Sequence, residues 1–231
     1  MKQAGTFLLF AALAASLAAP AGAERRPQRR PGAGTANPSA LIAAEIAFSR
    51  KAREDGQWTA FRDFADDEGV MFVPEPVLAK EWLSGRKDPP APVQWEAYEV
   101  WMSCDGTLGV TKGGWTRPDG SVGYFTTIWK QREKKRDYRW VLDGGDALEQ
   151  PLEKPEFLKA TVADCRANED IVVPARRPGE LALSGMSDDH SLQWQTKLAP
   201  DGGRMLTVSI ARSGDLQTVL QARVAPPAEA K

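Results

Sequence analysis

From Gly69 to Asp143 apolar residues recur in short runs rich in β-branched and aromatic side chains, each bounded by Gly, Pro or Asp. That is the strand pattern. It predicts strands at Val70–Val73, Val93–Ser103, Thr107–Thr116, Val122–Gln131 and Tyr138–Asp143, with a short helix around Leu78–Gly85. Alternation along the second strand puts Trp95, Ala97, Glu99 and Trp101 on one face and Gln94, Glu96, Tyr98, Val100 and Met102 on the other. Cys104-Asp105-Gly106, Arg117-Pro118-Asp119-Gly120 and Glu133–Asp137 read as turns, so these strands are antiparallel neighbours in order.

Upstream the period is helical. Asn37-Pro38-Ser39 supplies a helix start, and Leu41, Ile42, Ile46, Phe48 and Ala52 form a loose apolar stripe ending at Gly56. A second helix follows over Thr59–Ala65. Helices followed by a meander of strands predict an α+β fold. Beyond Asp143 the texture changes. Gly144–Pro155 reads as loop, Pro155–Ala167 as helix and Ile171–Gly185 as irregular. Leu192–Leu198, Met205–Ala211 and Leu216–Arg223 read as three strands. No internal repeat stands out. Three short strands are marginal alone in water, so residues 146–224 are expected to dock as a β-rich extension on the domain at 39–145, over its outer face or its mouth.

The ends are read separately. Lys2, the apolar run Thr6–Ala19 and the small residues Ala21-Gly22-Ala23 have the form of a secretory signal peptide over 1–23, which predicts export to a periplasmic or extracellular space after cleavage near Ala23. The run is short for a membrane span. Residues 24–38 carry four arginines among prolines and glycines and read as a disordered basic linker; 225–231 reads as a disordered tail. The chain has 30 basic and 31 acidic side chains. With four arginines in the linker the folded body is mildly acidic, which argues against nucleic acid as a partner. The two cysteines, Cys104 and Cys165, are expected to form a disulfide in an oxidising compartment.

Several stretches carry a family resemblance. They are Ala44-Glu45-Ile46-Ala47-Phe48, Phe64-Ala65-Asp66-Asp67 with Gly69-Val70, and Pro76 through Lys80-Glu81-Trp82-Leu83. After them come Trp95-Glu96, Ser103 with Asp105-Gly106-Thr107-Leu108-Gly109, Gly114-Trp115, Gly123-Tyr124 with Thr127-Ile128-Trp129-Lys130, and Trp140-Val141-Leu142-Asp143. Residues of about 40–143 resemble the nuclear transport factor 2-like superfamily, specifically its small exported bacterial members of unassigned function. The resemblance implies a cone: a curved, mostly antiparallel sheet wrapped around N-terminal helices, with a pocket at the open end. It also implies a possible homodimer through the outer sheet face. The superfamily contains isomerases, dehydratases, cyclases and binding proteins, so fold leaves function open.

No catalytic set is assigned. Enzymes of the superfamily usually pair an Asp or His base with a Tyr or second acid, and the first domain has no His. Asp67, Glu99 and Tyr124 are the weak candidates for chemistry. The lone His190, in Ser187-Asp188-Asp189-His190-Ser191, reads as an exposed polar turn. No metal site and no cofactor are expected. Trp95, Trp101, Trp115, Tyr124 and Trp129 are the candidates for a ligand pocket. The first expectation is an exported binding protein for a small, partly apolar molecule. The alternatives are a lyase or isomerase using a pocket carboxylate with Tyr124, and a cell-envelope interaction module.

Overall fold

The structure, a computed structural model, describes residues 36–165 and 183–226. The expected signal peptide, most of the linker, most of Ile171–Gly185 and the end of the tail lie outside the described residues.

Helix α1 spans Pro38–Asp55. Asn37 caps it, its Oδ1 accepting from the Ala40 amide at 3.2 Å, with Pro38 in the first turn where no N–H is needed. Gly56, at φ +112°, ends it in a conformation that side-chain-bearing residues rarely adopt. Helix α2, Gln57–Phe64, follows at once, and Asp88 holds its start through the Thr59 amide at 3.0 Å and hydroxyl at 2.7 Å. The buried stripe of α1 is Leu41, Glu45, Phe48, Ser49 and Ala52. Ile46, expected in that stripe, is exposed, and an acid occupies the interior instead.

The strands are β1 (Ala65–Phe72), β2 (Pro76–Leu78), β3 (Gln94–Met102), β4 (Leu108–Thr116), β5 (Val122–Gln131), β6 (Tyr138–Leu148) and β7 (Lys159–Val162), with the short helix α3 (Ala79–Trp82) after β2. They form one sheet in the order β2-β1-β6-β5-β4-β3-β7. The β1/β6 and β3/β7 pairs are parallel and the rest antiparallel. The helix expected from Pro155 is not formed within the described residues. Lys159–Val162 is instead an edge strand on β3, supplied with backbone partners that an isolated, proline-bounded segment lacks. Strands β8 (Ser184–Met186), β9 (Leu192–Leu198), β10 (Arg204–Arg212) and β11 (Asp215–Val224) make a second, antiparallel sheet, one strand larger than expected.

Each face of the first sheet has its own core. On the inner face α1 and α2 pack Leu41, Phe48, Ala52 and Ala60 against Val100, Met102, Trp129 and Trp140. On the outer face Val70, Trp101, Val110, Ile128 and Leu142 pack against Leu192, Trp194, Leu206, Val208 and Ile210 of the second sheet. At about 1.5–3 kcal/mol per buried aliphatic side chain, this seam dominates the docking of the C-terminal segment. The face that the resemblance would give to a homodimer is therefore covered by the chain itself.

A bulge corrects the expected faces of β3. Ala97 pairs with Gly113 and Glu99 with Lys112, so Tyr98 is an extra residue and the alternation flips. Trp95 thus packs on the helix side with Val100 and Met102, and Trp101 faces the second sheet.

A disulfide joins Cys104 and Cys165, 61 residues apart in sequence, with Cα atoms 5.0 Å apart. In the chain-entropy model such a loop closure is worth about 4 kcal/mol. Beside it two turns lock together. Ser103-Cys104-Asp105-Gly106-Thr107-Leu108 and Ser187-Asp188-Asp189-His190-Ser191-Leu192 share a short pattern that the reading for repeats missed. In each, the first serine donates to the aspartate, at 2.6 Å and 2.7 Å. Across the contact the Asp105 amide donates to Asp189 Oδ2 at 3.0 Å and the Asp189 amide to Asp105 Oδ2 at 2.9 Å. The His190 turn is therefore no exposed loop; Ser187, Asp189 and Ser191 are buried.

Candidate functional site

The open end of the cone holds a cavity of about 390 Å³. Its walls are rich in rings, with Arg117, Asp143, Asp146 and Arg204 as the charged residues among them. Phe48 of α1, Trp58 and Phe61 of α2, and Trp95 of β3 contribute from the helix side, with Phe72, Trp115 and Phe125 from strands. The rings brace one another edge to face: Phe48 lies 4.9 Å from Phe61 and 4.8 Å from Trp95, and Trp58 lies 5.6 Å from Phe61, between centroids. Such contacts hold a wall in place before any ligand arrives.

Asp143 is one of the two acids in this wall. A second bulge, at Val141 between the Ile128–Leu142 and Trp129–Trp140 pairs, sets the face of this part of β6. Asp143 Oδ2 accepts from Thr127 Oγ1 at 2.7 Å, from the adjacent residue on β5. Oδ1 has no partner among the described residues. What surface Asp143 retains opens on the cavity, with protein on the remaining sides. Burial, with the charge of Glu45 adding to it, pushes the Asp143 pKa up to about 7 against the opposing bond from Thr127.

Glu45, 2% exposed, is the second acid of the inner face. Its Oε1 accepts from Trp95 Nε1 at 2.8 Å, and its Oε2 from Thr111 Oγ1 at 2.6 Å and Trp129 Nε1 at 3.1 Å. Burial raises its pKa, opposed in order by the bonds from Thr111, Trp95 and Trp129. Thr111, Thr127 and Asp143 are register neighbours on β4, β5 and β6. A polar row therefore crosses the inner face, with Glu45 at its closed end and Asp143 at its open one. Both Glu45 oxygens accept from protein donors; of the Asp143 oxygens only Oδ2 does, among the described residues.

The residues singled out from sequence separate into three places. Trp95 and Trp115 line the cavity. Trp129 is fully buried behind it, in contact with Phe48 and Phe64. Trp101 and Tyr124 are on the opposite face. Tyr124 donates to the Arg223 carbonyl at 2.7 Å across the seam, and burial pushes its pKa to about 12. Asp67 is exposed and paired with Lys80. Glu99 sits in register with Lys112 and Lys159, away from the cavity. No tyrosine, histidine or lysine occurs among the described residues lining the cavity.

Glu45 and Asp143 went unnoticed in sequence as site residues. An acid at a buried position of the α1 stripe was a readable signal for Glu45. Asp143 looked like a strand end, because the three residues after it, Gly144-Gly145-Asp146, resemble turn chemistry although β6 continues to Leu148. A wider cleft of about 840 Å³, bordered by Leu108, Lys130, Gln193 and Gln195 among others, is faced by neither Glu45 nor Asp143. Among the described residues no helix is long and apolar enough to cross a membrane.

No family model matches the chain, and no curated protein matches it. Solved structures do. An NTF-2 like protein of unknown function from Shewanella oneidensis is 13% identical, with 47% of this chain and 97% of that one covered and a TM-score of 0.39. A cystatin-like fold protein from Burkholderia xenovorans is 13% identical, covering 49% and 92%, with a TM-score of 0.40. The beta subunit of benzoate 1,2-dioxygenase from Burkholderia mallei is 14% identical, covering 49% and 92%, with a TM-score of 0.37. Each of these likenesses extends over about half of this chain.

Proposed function

We propose that this chain is an exported binding protein for a small, partly apolar molecule, taken up among the rings of the cone with Asp143 meeting its polar group. One observation carries the reading: a ring-rich cavity keeps an Asp143 carboxylate oxygen without a partner among the described residues. Leaving such a group unpaired in an apolar setting is costly, and a ligand hydrogen bond removes that cost. Export rests on the leading apolar run and on a cysteine pair bridged rather than free.

The lyase or isomerase reading retains one supporting observation, an acid whose pKa burial pushes up to about 7 at the wall of the cavity. Tyr124, its expected donor, lies on the other face, so Asp143 has only Thr127 beside it. The interaction-module reading requires a large exposed apolar sheet face, and the C-terminal sheet covers that face.

The test is calorimetric titration of the full chain with 2-naphthylmethanol, a neutral apolar probe of suitable size. Saturable binding is expected in the micromolar to millimolar range and is expected to weaken severalfold in Trp115→Ala, which removes a wall. Absence of heat and of any shift in melting temperature would sink the reading.

A further inference from the structure

The second sheet touches the cavity through Arg204, the first residue of β10, which lines the mouth. Its guanidinium carbon lies 4.3 Å from the centroid of Phe72, and Nη2 donates to the Gly145 carbonyl at 3.0 Å. The remaining guanidinium hydrogens have no partner among the described residues. The nearby acid Asp146 is engaged elsewhere. Its Oδ1 accepts from the Ala147 amide at 2.9 Å and its Oδ2 from the Ala225 amide at 3.3 Å; it also lines the cavity and its charge acts on Arg204, but without a direct ion pair. Arg117 also lines the mouth, its guanidinium carbon 4.4 Å from the centroid of Trp115, with the charge of Asp119 acting on it but no direct ion pair. Phe72 is on β1 and Trp115 on β4, three strands apart in the sheet order, or about 14 Å at the usual strand spacing. Each side of the mouth thus presents an arginine laid on a ring.

Building on the cavity-binding reading above, we infer that the ligand is an anion, with an apolar body among the rings and a carboxylate or similar oxyanion received by Arg204, Arg117 adding attraction from the far side. A guanidinium offers a flat fork of donors that matches a carboxylate two bonds at a time. The Phe72 ring and the Gly145 bond fix the plane of that fork in advance, so little ordering remains when the anion arrives. A half-buried position strengthens the contact relative to one in open water. An arginine serving only to tie the sheets would need the Gly145 bond alone and would have no reason to line the cavity. With Arg204 as recognition group, the C-terminal sheet gives the cone its specificity as well as a cover for its outer face.

The experiment is calorimetric titration of the full chain with three probes of one shape: 2-naphthoate, 2-naphthylmethanol and 2-naphthylmethylammonium. The naphthoate is expected to bind about tenfold tighter than the alcohol, the scale of one charge-assisted hydrogen-bonded contact, and the ammonium weakest. In Arg204→Met, which keeps an unbranched apolar stem over Phe72, the naphthoate-to-alcohol ratio is expected to fall to about two, the share left to Arg117, with partial recovery in Arg204→Lys. Arg117→Gln, at an exposed position whose side chain rests only on Trp115, is expected to lower the ratio about twofold and guards against misfolding of the Arg204 variants. Equal binding of naphthoate and alcohol by the unmodified chain would overturn the inference and leave the cavity reading standing, as would an Arg204→Met ratio equal to that of the unmodified chain. Failure of all three probes to bind would overturn both.

Discussion

Within the seam between the two sheets Leu142 and Leu206 close around a residual space of about 20 Å³, although a cleft of about 840 Å³ opens where the sheets' borders meet; between the helices and the inner face the strands leave about 390 Å³. The difference is one of side-chain shape and number. Aliphatic chains on two matched sheets interdigitate to native density. Rings on helices above a curved sheet brace one another at their edges and leave a space at the open end. Polar groups follow the same division. The seam buries hydroxyls within an apolar contact, whereas the inner face carries a row of Thr111, Thr127 and Asp143 that leads to open space. The filled face holds the molecule together, and the hollow one is left available to bind.

The largest test of this contrast is removal of the second sheet. Truncation after Leu148 deletes the cover of the outer face and the disulfide, and is expected to give aggregated protein by size-exclusion chromatography. A monodisperse, heat-stable truncated chain would mean that the seam is dispensable. Next, Trp194→Ala removes a large seam side chain and is expected to cost about 3–5 kcal/mol in denaturant unfolding, while 2-naphthylmethanol affinity stays within about twofold. Loss of probe binding at unchanged stability would show that the faces are not independent.

On the inner side, Glu45→Leu strands the N–H of Trp95 and the proton of the Thr111 hydroxyl, while Trp129 Nε1 keeps only Thr111 Oγ1, at 3.0 Å. The expected cost is about 3 kcal/mol, since unpaired buried donors keep their full desolvation penalty; Glu45→Gln, which retains an acceptor, should cost about half. The smallest effect concerns Asp143. Its folded pKa is raised to about 7 from an ordinary 3.8, so the folded chain holds a proton that the unfolded chain has released. The stabilisation is complete below about pH 4 and disappears as pH rises through about 7. At about 1.4 kcal/mol per unit the ceiling is about 4 kcal/mol, and water in the cavity should halve it. Glu45, shifted the same way, adds to the slope. Asp143→Asn should flatten the stability profile between pH 4 and 7; an unchanged slope would remove Asp143 as its source.

Strands β3 to β6 and β9 to β11 were legible because each has turn chemistry at both ends and β-branched or aromatic residues between. Strand β7 was not. Lys159–Val162 is exposed or half-exposed along its length, so it carries no hydrophobic alternation and owes its structure to the edge of β3. The division of the tryptophans between faces was also out of reach. A bulge is a mismatch between two strands, Tyr98 against β4, and no single strand records it. For that reason Trp101 and Trp95 were placed together. Asp143 needed the curvature of the sheet to become a cavity residue. Arg204 needed the docking of one sheet on another, which the alternation of β10 foretold without showing which end would meet the mouth.

The paired turns at Asp105 and Asp189 have the form of an isologous contact, the kind in which two subunits of a symmetric dimer present one surface to each other. Here both copies of the surface belong to one polypeptide, and approximate two-fold symmetry operates inside the chain. Each turn is both key and lock, so equivalent positions should be energetically interchangeable: loss of the Thr107 hydroxyl and loss of the Ser191 hydroxyl, each of which serves its own aspartate and an amide of the other turn, should perturb the contact to a similar degree. A self-complementary surface is also able to pair with its own kind. If the segment from Ser184 to Val224 were to leave its own cone, the turn on a second molecule would offer it the same partners, and exchange of the C-terminal sheet between two chains would recreate every bond of the contact.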